Sequence, residues 1–385
     1  MLLVSLISYI DRSTLALLAP TILKDTGLNA EQYGYIISAF SIAYMVSNPI
    51  WGVILDRVGL RWGMAAAVAW WTAASAAHAF ASGFRSFGLA RAALGFGEGA
   101  TFPGGLRTVV QTLPQEQRGR GLAVAYSGGS LGALVTPLVV TPIFVVWGWR
   151  GAFWFTGLIG VVWLAIWSVV GRRPDIRYVP RKAAAEAGPR PGLRDTGLWA
   201  FMSLYAFGGL PLGFVLYAAP LYLTNPLGCS QELLGKILWI PPLGWEVGYF
   251  VWGWLADRAV RRAAGSIPSF RTMMAMCAML SLPFGALVWT GNVAVVVAGL
   301  FFQMFVASGF IVLSVAYATH IYSPGHAGLI AGVGAGSWSL LVAVLMPRFG
   351  RLFDLGVYSV PFGVVAVLPL VGYLFWDVLR RIRRC

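Results

Sequence analysis

Two carboxylates and two guanidiniums interrupt stretches of this chain that are otherwise apolar. Asp11 and Arg12 are neighbours in YIDRSTLALLAP, while Arg91 and Glu98 stand two helical turns apart in RAALGFGEG and so share one face. An ion at bilayer depth costs at least ~2.5–3.5 kcal/mol unless it is paired or lines a wet cavity. Two acids and two bases can neutralise one another, which is a structural role. The same four groups also support a chemical one. A carboxylate that takes up a proton changes which guanidinium is free, and a free guanidinium grips a ligand carboxylate through two parallel hydrogen bonds. Tyr44 offers a hydroxyl from the next apolar stretch, or packs.

The second half of the chain is less charged. Glu246, in WIPPLGWEVGYFVWGWLADR, reads as a second proton site or as partner to an arginine, or else as an exposed structural residue. Tyr217, Trp239, Gln303 and Ser337 are candidate cavity residues, although membrane-core or interface-belt positions account for the first three more simply. His78 reads as interfacial. No nucleophile–base arrangement and no metal-ligand spacing is present, so neither an enzyme nor a metal site is expected, and no cofactor. Cys229, Cys277 and Cys385 form no framework.

The elements that position these groups must lie in a membrane. Hydrophobic residues make up 58% of the 385 and charged ones 11%, too few to give every element a wet face. Glycine (47) and tryptophan (17) are abundant, as close helix packing and interfacial anchoring require. The net charge of +14 sits in short segments between apolar runs, with no nucleic-acid-binding motif, so no nucleic-acid partner is expected. Membrane lipids are.

Apolar runs long enough to cross a bilayer recur at 2–22, 33–55, 63–83, 87–111, 121–145, 151–171, 198–222, 234–256, 270–290, 293–318, 327–347 and 357–379. The expected fold is an all-α polytopic membrane protein of twelve transmembrane helices, in two six-helix bundles, 1–171 and 198–385. A basic cytoplasmic connector, 172–197, joins them. The first run, broken by Asp11 and Arg12, reads as a retained helix and not a signal peptide. With the N-terminus in the cytoplasm, nineteen arginines and lysines fall on the cytoplasmic side, including Arg57, Arg61, Arg172, Arg181, Lys182, Arg190, Arg258, Arg271, Arg380, Arg381, Arg383 and Arg384. Five face the other side: Lys24, Arg85, Arg150, Arg348 and Arg351. Both termini are therefore expected in the cytoplasm.

An internal repeat supports the two halves. Gly52, Asp56 and Arg57 in GVILDRVGLRWG recur as Gly253, Asp257 and Arg258 in GWLADR, each 201 residues later and each after the second long run of its half. Same-sense six-helix repeats imply a two-fold axis along the membrane normal, with the path between the halves. Asp56, Arg57 and Arg61, with Asp257 and Arg258, read as a conformational latch or as a plain structural turn. Gly128, Gly132 and Pro137 in GGSLGALVTP suit a bending gate or a static glycine contact. Arg107 reads as a snorkelling or gate residue, and His326 as a cytoplasmic helix start.

With these charges placed, the chain resembles a major facilitator superfamily transporter. Within it, the segments resemble the anion:cation symporter family, which includes bacterial hexuronate and galactonate carriers and the vesicular glutamate transporter and sialin group. YIDRSTLALLAP (9–20), RAALGFGEGATFPG (91–104), GVILDRVGLRWG and PRFGRLFDLGVYSVPF (347–362) carry the resemblance across the chain. It implies alternating access, with Asp11 and Glu98 coupling protons, Arg12 as their electrostatic partner, and Arg91 and Tyr44 on the substrate anion. It further implies a monomer in the bacterial inner membrane. Where sugar-acid carriers bear amides, this chain has GVGAGSWS (332–339) and Gly128–Gly129, which implies a less hydroxylated ligand unless Ser337, Gln303 and Tyr217 compensate. The expected function is proton-coupled symport of a small organic anion, a monocarboxylate or sugar acid. The alternatives are an organic-anion or organic-phosphate exchanger on the same fold and a non-transporting membrane receptor.

Overall fold

The computed structural model describes residues 1–114, 117–177, 192, 194–262, 267–322 and 327–382, without the side chains of 119, 259–262, 267–269 and 327–328. Most of the connector 172–197, with Arg181, Lys182 and Arg190, lies outside the described residues, as do His326, Arg383, Arg384 and Cys385.

Among the described residues the chain is helical throughout. Its helices are α1 (Leu2–Thr26), α2 (Ala30–Val58), α3 (Leu60–Ala77), α4 (Phe84–Glu98), α5 (Thr101–Thr112), α6 (Arg118–Val170), α7 (Pro174–Arg177), α8 (Thr196–Tyr217), α9 (Ala219–Thr224), α10 (Gln231–Ile237), α11 (Ile240–Arg262), α12 (Ile267–Ser281), α13 (Val293–Ile321), α14 (Ala327–Asp354) and α15 (Ser359–Ile382). Two 3₁₀ segments, His78–Phe80 and Leu282–Trp289, extend α3 and α12. Eight of these stretches are long and apolar enough to cross a membrane alone. One of them, α6, supplies two crossings, because Gly148 turns the chain at φ 68°, a backbone angle that favours glycine. With α3, the pair α4–α5 and the pair α10–α11, the described residues make twelve crossings. Outward faces are apolar: Val146, Trp147, Val162 and Val169 on α6 are exposed, as lipid contact requires.

Three expected helices are interrupted, each for a visible reason. Run 87–111 breaks after Glu98, where Ala100 N–H bonds back to the Gly97 carbonyl at 3.2 Å and Pro103 follows in the first turn of α5. Run 198–222 breaks at Ala218, with Pro220 just beyond. Run 234–256 breaks at Leu238–Trp239, before Pro241 and Pro242 in the first turn of α11.

The chain forms two compact units, Met1–Ala184 with Cys229–Trp239, and Ala185–Gly228 with Ile240–Cys385. In the first, α1 lies along α6, α2 on α4, and α3 against both α4 and α6. The segment holding α10 belongs here. Gln231 Nε2 donates to the Leu17 carbonyl at 2.8 Å, and Thr21 Oγ1 donates to Gln231 Oε1 at 2.9 Å. In the second unit α11 packs on α13, and α8 on α13, α14 and α15.

The α1–α6 contact is backbone to backbone. A Cβ at Gly128 would stand 2.1 Å from the Leu2 carbonyl oxygen, and one at Gly132 would stand 2.5 Å from that of Leu6. Backbone cannot swing aside as a side chain can, so Gly132→Leu should lower stability by ~1–3 kcal/mol or more. Gly363→Ala, which meets open space, is the control. Thermal denaturation in detergent reads the difference; equal melting of the two variants would refute the close contact.

Candidate substrate and proton site

The glycines of RAALGFGEG bring α4 directly onto its neighbours. A Cβ at Gly95 would meet the Phe40 carbonyl oxygen at 2.4 Å, and one at Gly99 would meet Ser47 Oγ at 2.0 Å. Only glycine allows that approach. Glu98 therefore ends α4 deep in the unit, facing α1, with no solvent exposure. Asp11, Arg12 and Arg91 are 2%, 3% and 1% exposed. All four charges are fully buried.

Their connections differ. Arg12 Nε lies 2.5 Å from Glu98 Oε2, which also accepts from Ser8 Oγ at 2.7 Å. Arg91 Nη2 donates to the Arg12 carbonyl at 3.2 Å. Asp11 Oδ1 accepts from Ser75 Oγ at 2.6 Å, and Ser75 in turn meets Thr156 Oγ1 at 2.8 Å. Neither Asp11 Oδ2 nor Glu98 Oε1 has a hydrogen-bond partner among the described residues. The Arg12 guanidinium sits within an aromatic cage, its Cζ 4.4 Å from the Tyr44 ring centroid, 4.9 Å from Phe40 and 5.0 Å from Tyr9. Phe40 and Tyr44 are stacked at 5.8 Å, and Arg91 lies 5.7 Å from Phe40. Such faces attract cations, more strongly where water is absent.

The structure thus brings together Asp11, Arg12, Tyr44, Arg91 and Glu98. It adds Ser8, Tyr9, Phe40, Ser75 and Thr156, which sequence reasoning missed. Ser8 stands one turn before Arg12, and Phe40 one turn before Tyr44, so helical spacing held a signal for both. Ser75 and Thr156 come from separate helices, and spacing held none. His78 is corrected from interfacial to fully buried, with Nδ1 2.8 Å from the Ala74 carbonyl and its ring stacked on Phe153 at 4.9 Å.

The remaining candidates lie elsewhere. Tyr217, Glu246, Gln303 and Ser337 are in the second unit. Gln303 Nε2 donates to Ser281 Oγ at 2.6 Å, Ser337 Oγ donates to the Gly334 carbonyl of its own helix, and Glu246 is half-buried with Oε1 unbonded among the described residues. Trp239 closes the Cys229–Trp239 segment and donates to the Lys236 carbonyl. In the first unit, the partner of Asp56 is Arg107, at 2.5 Å, and not Arg57 or Arg61. Arg61 stacks on Trp62, and Arg258 of the second unit on Trp254. Pro137 lies within α6.

A helix that breaks directly after Glu98, beside buried charges of both signs, is the construction of a carrier. A family profile described as Major Facilitator Superfamily matches residues 1–297. The chain belongs to the major facilitator superfamily. Among relatives, it is 25% identical over 399 residues to a hexuronate transporter of Escherichia coli K12, covering 98% of this chain and 91% of that one. It is 30% identical over 316 residues to a hexuronate transporter of Bacillus subtilis, covering 78% and 75%. The fold matches that of a bacterial homologue of the human lysosomal transporter Spinster, solved inward-facing and unoccupied, with TM-score 0.80 at 15% identity over 99% of this chain and 95% of that one. As a superfamily member the protein is a multi-pass transporter and not an enzyme, as its composition and motifs led one to expect.

Proposed function

We propose that this transporter carries a small organic anion, a monocarboxylate of the sugar-acid class, across the bacterial inner membrane together with a proton, by alternating access. Both termini would be cytoplasmic. The observation that carries the reading is the charge count of the buried cluster: Asp11 and Glu98 against Arg12 and Arg91, all excluded from solvent. Ionised, the cluster is neutral. One proton leaves it with a single unmatched positive charge, which is expensive at bilayer depth. A monovalent anion removes that cost, so proton and anion each favour the binding of the other, as linkage requires.

The residues divide the work. Glu98 takes the proton and releases the Arg12 fork, whose cage of rings keeps it in place. Arg91 anchors the carboxylate beside it, with Tyr44 contributing a hydroxyl and Asp11 forming the second coupling carboxylate on the Ser75–Thr156 chain. The hexuronate and galactonate transporters among the relatives support a sugar acid as the anion. Glu246 is assigned a second proton position, and Tyr217, Trp239, Gln303 and Ser337 the remaining substrate contacts. Asp56, Arg57 and Arg61, with Asp257 and Arg258, are assigned to gating, and so are Gly52, Gly128, Gly132 and Pro137.

The experiment is a thermal-shift screen of glucuronate, galacturonate, galactonate and simple monocarboxylates on purified protein, repeated on Arg91→Ala. At least one acid should stabilise the wild type and lose its effect in the variant, since a charge-assisted bidentate contact is worth ~1.5–3 kcal/mol, roughly ten- to a hundred-fold in affinity. In proteoliposomes, uptake of that acid should rise with an inward proton gradient. Stabilisation by organic cations alone would remove the anion reading, and counterflow indifferent to the gradient would make the protein an exchanger.

A further inference from the structure

Away from the buried cluster, the second unit gathers three arginines around one carboxylate. Asp377, in the last turns of α15, is 10% exposed on its side chain. Its Oδ1 receives Arg271 Nε at 3.1 Å, Arg380 Nε at 2.8 Å and also Arg380 Nη2, and its Oδ2 receives Arg381 Nη2 at 2.6 Å and Arg271 Nη2 at 3.4 Å. A carboxylate offers about four acceptor sites, and each guanidinium carries five N–H donors. Asp377 is thus saturated, while most of the donors remain uncommitted to it. The balance is one negative charge against three positive.

Position says which anion fits. Arg380 is held in place, with Cζ 4.8 Å from the Trp376 ring centroid and its side chain 11% exposed. Arg271 and Arg381 are 47% and 63% exposed, and both reach out from the end of the helix pair α12–α15. Along that pair stand exposed apolar side chains: Met276 and Met279 on α12, and Leu374 and Val378 on α15. A group that binds here meets guanidiniums at one end and a hydrocarbon-facing stripe at the other.

We propose that Arg271, Arg380 and Arg381 form a binding site for the phosphate of an anionic phospholipid, with its acyl chains along the α12–α15 face. The guanidinium fork matches phosphate oxygens bidentately, and Asp377 orders the three arginines while leaving two positive charges for the headgroup. Bound there, the lipid bridges α12 and α15 and stabilises the second unit independently of the transported anion.

The test uses the full chain in neutral detergent, with native mass spectrometry and thermal denaturation in the presence of phosphatidylglycerol, phosphatidylcholine or inorganic phosphate. Phosphatidylglycerol should be retained and should raise the melting temperature, and phosphatidylcholine should do neither. In R271Q/R381Q, whose substituted side chains are exposed, binding should fall roughly five-fold per arginine removed. R150Q, at an exposed arginine of the first unit, should bind as the wild type does. D377N should bind phosphatidylglycerol more tightly; if it unfolds, the double arginine variant decides alone. Equal retention by wild type and R271Q/R381Q, or equal retention of the two lipids, overturns the site. Stabilisation by inorganic phosphate matching that by phosphatidylglycerol overturns the lipid assignment and leaves a soluble phosphate as the ligand.

Discussion

Glu98→Gln should abolish accumulation of the anion against its gradient while sparing one-for-one exchange. Glu98 Oε2 is already engaged by Arg12 and Ser8, whereas Oε1 has no partner among the described residues. A proton can therefore arrive on Oε1 before Arg12 leaves Oε2, and glutamine reproduces the protonated shape with its charge removed. The buried count in the variant is then fixed at one negative, Asp11, against two positive, Arg12 and Arg91. Anion binding no longer waits for a proton, so affinity should lose its dependence on pH. With no proton carried, the gradient does no work on the anion, and the accumulation ratio in proteoliposomes should fall to roughly one. Counterflow should persist, since the loaded carrier is intact. A variant that still concentrates the anion under an inward proton gradient would move the coupling elsewhere, to Asp11 or to Glu246.

The charges behind this expectation were legible because hydrocarbon makes ions conspicuous: few residues compete for attention in YIDRSTLALLAP and RAALGFGEG. Helix number was legible for the same reason, since lipid-facing runs need no alternation of polar and apolar residues. The break after Glu98 was not. GFGEGATFPG reads as one apolar run in which Pro103 is the one clue, and only the fold shows the turn at Gly97–Ala100 that ends α4. In the second half, the Pro241–Pro242 pair held a clue to the α10–α11 break. The polar chain Asp11–Ser75–Thr156 was invisible, because single hydroxyls on α3 and α6 look like ordinary helix residues until the fold joins them. Likewise the Asp56–Arg107 pair depended on how α5 lies beside α2, which no local pattern encodes.

Arg12→Met should be among the most destabilising single changes in the protein, and Glu98→Gln added to it should restore most of the loss. Removing the guanidinium leaves Glu98 with no solvent exposure and only Ser8 bonded to its carboxylate. Breaking a buried pair from one side costs ~3–5 kcal/mol, because the survivor is an uncompensated charge. Against a total stability of ~5–15 kcal/mol that is a large share. The converse change is milder. With Glu98 made neutral, Arg12 still lies over the rings of Tyr9, Phe40 and Tyr44, and each such contact supplies ~0.5–2 kcal/mol to a desolvated cation. The cycle should therefore be asymmetric: Arg12→Met well below Glu98→Gln in melting temperature, with the double variant above Arg12→Met. An additive cycle, in which the double variant falls below the wild type by the sum of the two single losses, would mean that Arg12 and Glu98 do not hold each other's charge, and the neutral cluster on which proton–anion coupling rests would lose its basis.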